Sequence, residues 1–249
     1  MKVISILNLK GGVAKTFTAS NMAYELYRRG YKVLLLDNDK QGNLSKAYGK
    51  YDKNTTSPVA ELLRGKPVEN MIQHTAYEGI DIITANMSIM SAVQFLSNDA
   101  DNQLFRYRKI FDMENDYDYC IIDNPPDIGL NVVNALMISN EVIVPVKIDE
   151  WALEGLEVLD EQIKVVKHFN PDIKFGGMLV TVYQKSDGEA AGLDWLKRIK
   201  EYKVLGKIRY SKKVAESTFL FKPIYEYSPC CGAAQDYKRF VAEYTGKSR

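Results

Sequence analysis

Hydrophobic runs of strand length recur along the chain and alternate with stretches of helical periodicity. The runs lie at residues 2–8, 32–37, 79–84, 118–123, 141–147, 175–182 and 204–208. Strand-like runs that alternate with helical segments are typical of α/β proteins, in which crossover helices connect parallel strands. The pattern therefore predicts an α/β fold, a twisted and mostly parallel sheet with helices on both faces.

The composition fits one ordinary globular unit. The chain has 249 residues, of which 46% are hydrophobic and 26% charged, enough for one large core. Since no Pro/Gly/Ser-rich linker, low-complexity tract or internal repeat interrupts it, we expect a single domain over residues 1–249. The N-terminus shows no signal-peptide pattern, and no apolar run approaches membrane-spanning length. We therefore expect a cytoplasmic protein.

The cysteines and histidines give little support to metal–thiolate or histidine-based chemistry. Cys230 and Cys231 are neighbours and Cys120 lies in a predicted strand, which is neither a disulfide framework nor a metal-ligand spacing. His74 and His168 lie far apart in the sequence. A structural role for all five residues is the simpler interpretation.

A glycine-rich segment follows the first hydrophobic run and precedes a helical pattern. Residues 10–16 read Lys-Gly-Gly-Val-Ala-Lys-Thr. Glycines allow the backbone to turn its N–H groups around an anion, and the N-terminus of the following helix favours negative charge at the same place. Lys15 adds a full positive charge, and the Thr16 hydroxyl is a ligand of the kind that binds Mg²⁺. The segment predicts a phosphate-binding loop.

Two more hydrophobic runs end in carboxylates. Asp37 and Asp39 follow the run at residues 32–37, and Asp123 ends the run at 118–123. Residues 125–126 are both proline, which stops that strand. Because ligands of open α/β sheets bind at the carboxyl ends of the strands, these carboxylates are candidates for the same site as the glycine-rich segment. The alternative is that they only bond loop amides.

These segments together resemble one family. The K-G-G-x-x-K-S/T form of residues 10–16 resembles the deviant Walker A motif of the ParA/MinD group of ATPases, which have a P-loop NTPase fold. Residues 37–43 and 123–126 resemble two further segments of that group, and residues 141–156 and 221–234 resemble its closing sections. The likeness spans nearly the whole chain, and it is closest to the ParA-type, Soj-like DNA partition ATPases.

The resemblance implies an ATPase that uses ATP and Mg²⁺. It implies catalytic roles for Lys10, Lys15 and Asp39, the last orienting the attacking water. The metal ligands it implies are Thr16 and, through water, Asp123, with Asp37 as an alternative. The nucleotide-binding residues would be Lys10, Gly11, Gly12, Val13, Ala14, Lys15, Thr16, Phe17 and Arg209.

The resemblance also implies a homodimer that forms around ATP. Lys10 is the extra lysine of the deviant motif, and in the family this lysine reaches the nucleotide of the other subunit. Gly11 and Gly12 have no side chains, so two backbones can approach closely there. We therefore expect ATP, unlike ADP, to drive dimerisation.

Charge is unevenly distributed although the net charge is only +1. Residues 197–213 are rich in Lys and Arg, whereas residues 148–161 carry only acidic charges. Charged faces are often merely solvated, but a basic patch is also what binds DNA phosphates without reading sequence. By resemblance, the candidate DNA-binding residues are Arg209, Lys212 and Lys213, and Arg209 is equally a candidate for the nucleotide. Non-specific double-stranded DNA and a ParB-like protein are the implied partners, with the protein at the nucleoid.

Three positions depart from the family pattern. Ala14 stands where glycine is usual, so a positive φ there would cost about 1 kcal/mol or more. Phe17 replaces a small hydroxyl residue, and Lys40 replaces a proline. These departures therefore weaken the expectation of ATP hydrolysis more than the expectation of nucleotide binding.

Two alternatives to DNA partition follow from the same motifs. One is a MinD-like ATPase that acts at a membrane through an amphipathic C-terminal helix, but residues 237–246 hold few large apolar side chains, so we expect no stable membrane binding. The other is a scaffold that positions a protein complex and hardly turns over ATP.

Overall fold

The computed structural model of the protein describes residues 1–99, 103–112, 117–149 and 152–246. Within these residues the strands form one eight-stranded sheet in the order β3-β4-β2-β5-β1-β6-β7-β8. Only β3 and β4 pair antiparallel. The strands are β1 (Lys2–Ile6), β2 (Val33–Asp37), β3 (Gln73–His74), β4 (Ile80–Ile83), β5 (Tyr119–Asp123), β6 (Glu141–Val146), β7 (Lys174–Tyr183) and β8 (Val204–Arg209).

Helices cover both faces of this sheet. They are α1 (Lys15–Arg28), α2 (Asn43–Ala47), α3 (Pro58–Leu63), α4 (Ile89–Ser97), a 3₁₀ helix (Arg106–Asp112), α5 (Leu130–Ile138), α6 (Ala152–Val166), α7 (Asp187–Arg198), α8 (Lys212–Phe219), α9 (Ile224–Tyr227) and α10 (Gly232–Thr245). Successive residues of a strand point to opposite faces of the sheet. On one face Ile4 and Leu35 pack with α1 and α10, and on the other Val3 and Leu34 pack with α3 and α4. This alternation is the expected period of two in a buried sheet.

The expected fold class is confirmed, and every strand-like run corresponds to an observed strand. The sequence missed β3, because a strand of two residues is too short to show a periodicity. A single domain over residues 1–249 stays a prediction, with which the single sheet agrees. No helix in the described part of the chain is long and apolar enough to cross a membrane.

The sheet brings the predicted carboxylates together. Asp123 at the end of β5 lies in register with Ile6 of β1 on one side and with Asp37 of β2 on the other. The glycine-rich segment begins a few residues after β1 and leads into α1. The site is therefore built at the carboxyl ends of three adjacent parallel strands.

Candidate functional site

The turn between β1 and α1 encloses the N-terminus of α1. Gly12 has a φ of 73° and Ala14 a φ of 63°, both in the left-handed region. The N–H of Thr18 bonds the carbonyl of Ala14 at 2.9 Å, so the amides of the preceding helical residues have no helical acceptor. These amides and the helix dipole favour an anion in the turn. The expected cost of alanine at position 14 is therefore present, about 1 kcal/mol.

The turn is anchored on one side and open on the other. The Val13 side chain is buried, and its carbonyl accepts a hydrogen bond from the Thr181 hydroxyl at 3.1 Å. Only the backbone of Val13 is thus available to a ligand. Gly11 and Gly12 are exposed, and a Cβ atom built on either would meet nothing within 4 Å. The outer surface of the turn is therefore open to another molecule.

Lys15 points back into the turn. Its side chain is buried, and its Nζ donates to the carbonyl of Lys10 at 2.8 Å. Burial lowers the pKa of Lys15, while the carboxylates of Asp123, Asp39 and Asp127 oppose that shift. The ammonium group thus lies between the anion-binding turn and a set of acidic side chains.

Asp123 is the carboxylate of this site that best fits a bound cation. Both of its carboxylate oxygens are buried without a hydrogen-bond partner among the described residues. Burial, followed by the charge of Asp37, raises the pKa of Asp123 well above its usual range, and the nearby Thr16 hydroxyl and Lys15 ammonium act in the opposite direction. Buried charges are normally paired or bound to metal. An open carboxylate beside a hydroxyl fits a hard cation such as Mg²⁺.

The other two carboxylates differ from each other. Asp37 is fully buried and accepts from the Ser45 amide at 2.8 Å, the Ser45 hydroxyl at 2.6 Å and the Asp39 amide at 3.2 Å. Burial raises its pKa to about 6 even though these bonds lower it. Asp39 accepts from the Gln41 amide at 2.9 Å and lines the cavity beside the turn. Asp37 thus holds the loop, whereas Asp39 faces the ligand space.

Lys10 lies at the surface of the same turn. Its amide bonds the Asn8 side chain at 2.9 Å, and its Nζ pairs with the carboxylate of Asp149. Both side chains in this ion pair are partly exposed. Lys10 therefore binds an acid of its own chain.

A cavity of about 480 Å³ runs from the turn toward aromatic residues. At one end lie Gly11, Gly12, Lys15 and Thr16. Phe17 also lines it while its ring packs 5.7 Å from that of Tyr237, so this residue serves both the cavity and the core. The sequence analysis missed many other residues of the described lining, because nothing along the chain shows that they converge; among them are Tyr48, Tyr77, Thr218, Phe221 and Pro223.

Arg209 is not among the described residues that line this cavity. Its guanidinium makes a two-pronged ion pair with Asp236 at 2.7 and 2.8 Å, and its amide bonds the same carboxylate at 3.0 Å. This hydrogen-bonded acid raises the pKa of Arg209. Lys213 pairs with Glu216 at 2.7 Å, and Lys212 is exposed at the start of α8. The three basic residues are neighbours, but their charges are not equally available.

Comparisons with known proteins agree with this geometry. A family model described as an AAA domain matches residues 1–175. The chromosome partitioning protein ParA of Myxococcus xanthus is 37% identical over 185 residues, which are 73% of this chain and 65% of that protein. The sporulation initiation inhibitor protein Soj of Bacillus subtilis is 33% identical over 248 residues, 97% of each chain.

A solved structure extends the likeness to the ligands. The cobyrinic acid a,c-diamide synthase of Mycobacterium smegmatis, solved with bound ADP and magnesium, is 28% identical and has a TM-score of 0.83. The match covers 99% of this chain and 97% of that one. The nucleotide and the metal in that structure are the groups that the turn and Asp123 fit here.

Proposed function

Because the chain belongs to the ParA/Soj family of ATPases, which act on ATP with Mg²⁺, we propose that it is a DNA partition ATPase. In this proposal two copies pair around ATP and bind double-stranded DNA without sequence preference. A ParB-like partner then stimulates hydrolysis, which releases the DNA at the nucleoid. The turn at residues 10–16 carries the proposal, since it combines an anion-binding helix N-terminus with an open glycine surface and an extra lysine.

Each group of the site has a task in hydrolysis. The amides of residues 11–16 would hold the β-phosphate, and Lys15 the β- and γ-phosphate oxygens. Thr16 would bind Mg²⁺ directly and Asp123 through water, and the ion supplies positive charge to the phosphates when bound. Asp39 would orient the attacking water. The three hydrogen bonds at Asp37 favour a loop-holding role for it over metal ligation.

Dimerisation would use the open side of the turn. Gly11 and Gly12 leave room for a second backbone, and Lys10 stands beside them at the surface. To reach the phosphates of the other subunit, Lys10 has to exchange its ion pair with Asp149 for that contact. Exposed ion pairs are worth only about 0–1 kcal/mol, so the exchange is inexpensive. ADP, which lacks the γ-phosphate, gives Lys10 less to bind.

DNA binding would use the edge of the sheet formed by β8. Strand β8 is the last strand at this side of the sheet. Three lysines in and just after it are exposed: Lys207, Lys212 and Lys213. The Lys213–Glu216 pair lies at the surface, so a DNA phosphate can replace the glutamate. Arg209 is held by the buried Asp236 and contributes its charge less readily. We therefore assign the main phosphate contacts to Lys212 and Lys213.

A ParB-like partner would dock away from that edge. The exposed acids Glu157 and Glu161 of α6 offer a surface of opposite sign to the DNA-binding edge. Basic segments of a partner fit such a surface, and electrostatic steering would speed their association. The relative from Myxococcus xanthus, which is named a chromosome partitioning protein, supports a partition system.

The test is binding of a fluorescent random-sequence duplex by anisotropy. Wild type is compared with the Lys212→Glu/Lys213→Glu double variant in ATP–Mg²⁺, in ADP–Mg²⁺ and without nucleotide, over a salt series. Lys174→Glu is the matched control, since Lys174 is also exposed but begins β7 at the opposite end of the strands. A charge reversal at Arg209 is unsuitable as a test, because it would leave the buried carboxylate of Asp236 without its cation.

We expect wild type to bind DNA only with ATP and to weaken as salt rises. The double variant should lose most of this binding and reduce the salt slope by about 2, roughly 0.9 for each lost phosphate contact. Lys174→Glu should behave as wild type. Binding that ignores the nucleotide, or none in any state, would contradict the proposal.

Two alternatives are outcomes of related tests. Strong ATP-dependent flotation with liposomes would favour a MinD-like role, although the apolar residues of α10, such as Tyr237 and Phe240, are buried in the core. ATP binding without turnover, even with DNA and partner present, would favour a scaffold.

A further inference from the structure

Three consecutive large apolar residues are exposed just after the basic start of α8. Phe219, Leu220 and Phe221 are 81%, 48% and 58% accessible to solvent. Of the three, only Phe221 belongs to the described lining of the cavity that contains Gly12 and Lys15. The position of Phe221 therefore distinguishes it from its two neighbours.

The backbone of Phe221 adopts a conformation that favours glycine. Its φ is 52°, its amide bonds the carbonyl of Thr218 at 3.2 Å, and the amide of Lys222 bonds the carbonyl of Ser217 at 3.0 Å. This pair of bonds is the Schellman ending of a helix, in which the left-handed residue is usually glycine. Phenylalanine is strained there, and its exposed ring recovers little by burial. A strained residue beside a ligand cavity points to a role in binding.

Two further aromatic side chains line the cavity and are held in place. The rings of Tyr48 and Tyr77 meet edge to face, with centroids 6.1 Å apart. The Tyr77 hydroxyl donates to Glu226 at 3.2 Å, which holds that ring in place. The described lining of the cavity thus combines an anion-binding turn with aromatic side chains. A nucleotide has the same division, with phosphates at one end and a planar apolar base at the other.

We propose that Phe221 is the base-stacking residue of this site, its ring covering one face of the adenine whose phosphates lie in the turn at residues 11–16. The inference rests on the proposed assignment of that turn to the phosphates. Stacking of a base on an aromatic ring is sequence-tolerant and strong, and its loss weakens binding about tenfold or more. Phe221 is therefore a specificity-determining residue that distinguishes a nucleoside triphosphate from triphosphate alone.

The experiment is calorimetric titration of the full chain with magnesium ATP and with magnesium tripolyphosphate, which lacks base and ribose. The variant Phe221→Gly removes the ring and also relieves the backbone strain, so its melting temperature should be at least that of wild type. Phe221→Trp keeps a stacking ring. Phe219→Ala is the matched control, because it removes a more exposed ring of the same segment outside the cavity.

We expect Phe221→Gly to weaken ATP about tenfold and to leave tripolyphosphate unchanged, with Phe221→Trp restoring ATP affinity and Phe219→Ala matching wild type. A structural role for the ring would not produce this difference between the two ligands. Equal loss of both ligands, or unchanged ATP affinity, would overturn the inference while leaving the phosphate site intact. Wild type that binds neither ligand would overturn the phosphate assignment and this inference with it.

Discussion

The turn at residues 10–16 and the basic edge of the sheet, which carries Lys207, Arg209, Lys212 and Lys213, are built in opposite ways. The turn uses backbone amides, two left-handed residues and a carboxylate with open oxygens, all fixed by buried neighbours. The basic edge uses exposed side chains, two of which, Arg209 and Lys213, already pair with acids of their own chain. The backbone of the turn already has the conformation that an anion would need. At the basic edge, by contrast, Lys213 has to give up its ion pair with Glu216 before it can bind another anion.

This difference affects how each region is expected to respond to change. In the turn, one substitution is expected to remove a contact that nothing else supplies, because Lys15, Thr16 and Asp123 each bring a different chemical group to the site. At the edge, single charges are interchangeable unless one of them also supports the fold, as Arg209 does through Asp236. Function and stability are thus coupled differently in the two regions.

The largest effect is expected from Lys15→Ala. It removes the ammonium that would contact the phosphate oxygens in the proposed site, so turnover of ATP should fall about 10²–10³-fold, as when a preorganised charge contact is lost. The measurement is release of phosphate, with circular dichroism to verify the fold. Lys174→Ala, at an exposed position far from the turn, should retain wild-type turnover. A Lys15→Ala protein that hydrolyses ATP normally would show that the turn is not the catalytic site.

Arg209→Ala should lower the free energy of unfolding by about 2 kcal/mol, because Asp236, whose side chain is 4% exposed, would lose its charged partner. Lys212→Ala, which touches no such group, should change it by less than about 0.5 kcal/mol. Urea unfolding of the two variants measures this difference. Equal effects would contradict the view that Arg209 stabilises the fold whereas Lys212 does not.

Asp123→Asn should stabilise the metal-free protein by about 1 kcal/mol and still impair ATP turnover with Mg²⁺, since an unpaired buried carboxylate is replaced by a neutral group. Burial raises the pKa of Asp123, so the folded state keeps a proton that the unfolded state releases near pH 3.8. Stability in chelator therefore falls as the pH rises above that value, and the fall should be shallower in the variant, where Asp37, whose pKa burial raises to about 6, still contributes to it. Urea unfolding over a pH series tests it. A variant less stable than wild type at pH 8 would contradict the account.

The smallest effect is expected at Ala14, where glycine suits the observed backbone better. Ala14→Gly should raise the free energy of unfolding by about 1 kcal/mol, and Gly12→Ala, also at positive φ, should lower it by a similar amount. Thermal unfolding without nucleotide compares the pair. Changes of the same sign would mean that the turn is not strained where its φ angles indicate.

The turn was predictable from sequence because its chemistry lies in contiguous residues. The spacing of Lys10, the glycines, Lys15 and Thr16 specifies an anion site by itself, and hydrophobic runs place Asp37 and Asp123 at strand ends. The strands were predictable for the same reason, since buried parallel strands are nearly continuous apolar runs.

The remaining features depend on residues that are distant in sequence. The Arg209–Asp236 pair joins β8 to α10, and the Lys10–Asp149 pair joins the turn to the segment after β6. The aromatic wall brings Tyr48 and Tyr77 to the same cavity as Phe221. No local pattern marks such pairs, so the availability of a charge or ring becomes visible only in the folded chain.

The most direct test of the central claim is the molecular mass of the protein by light scattering, in a non-hydrolysable ATP analogue and in ADP, each with Mg²⁺. We expect a dimer with the analogue and a monomer with ADP, and a monomer in both for Lys10→Ala. A wild-type monomer in the ATP analogue would contradict the account, because Gly11, Gly12 and Lys10 would then not form a dimer interface around ATP.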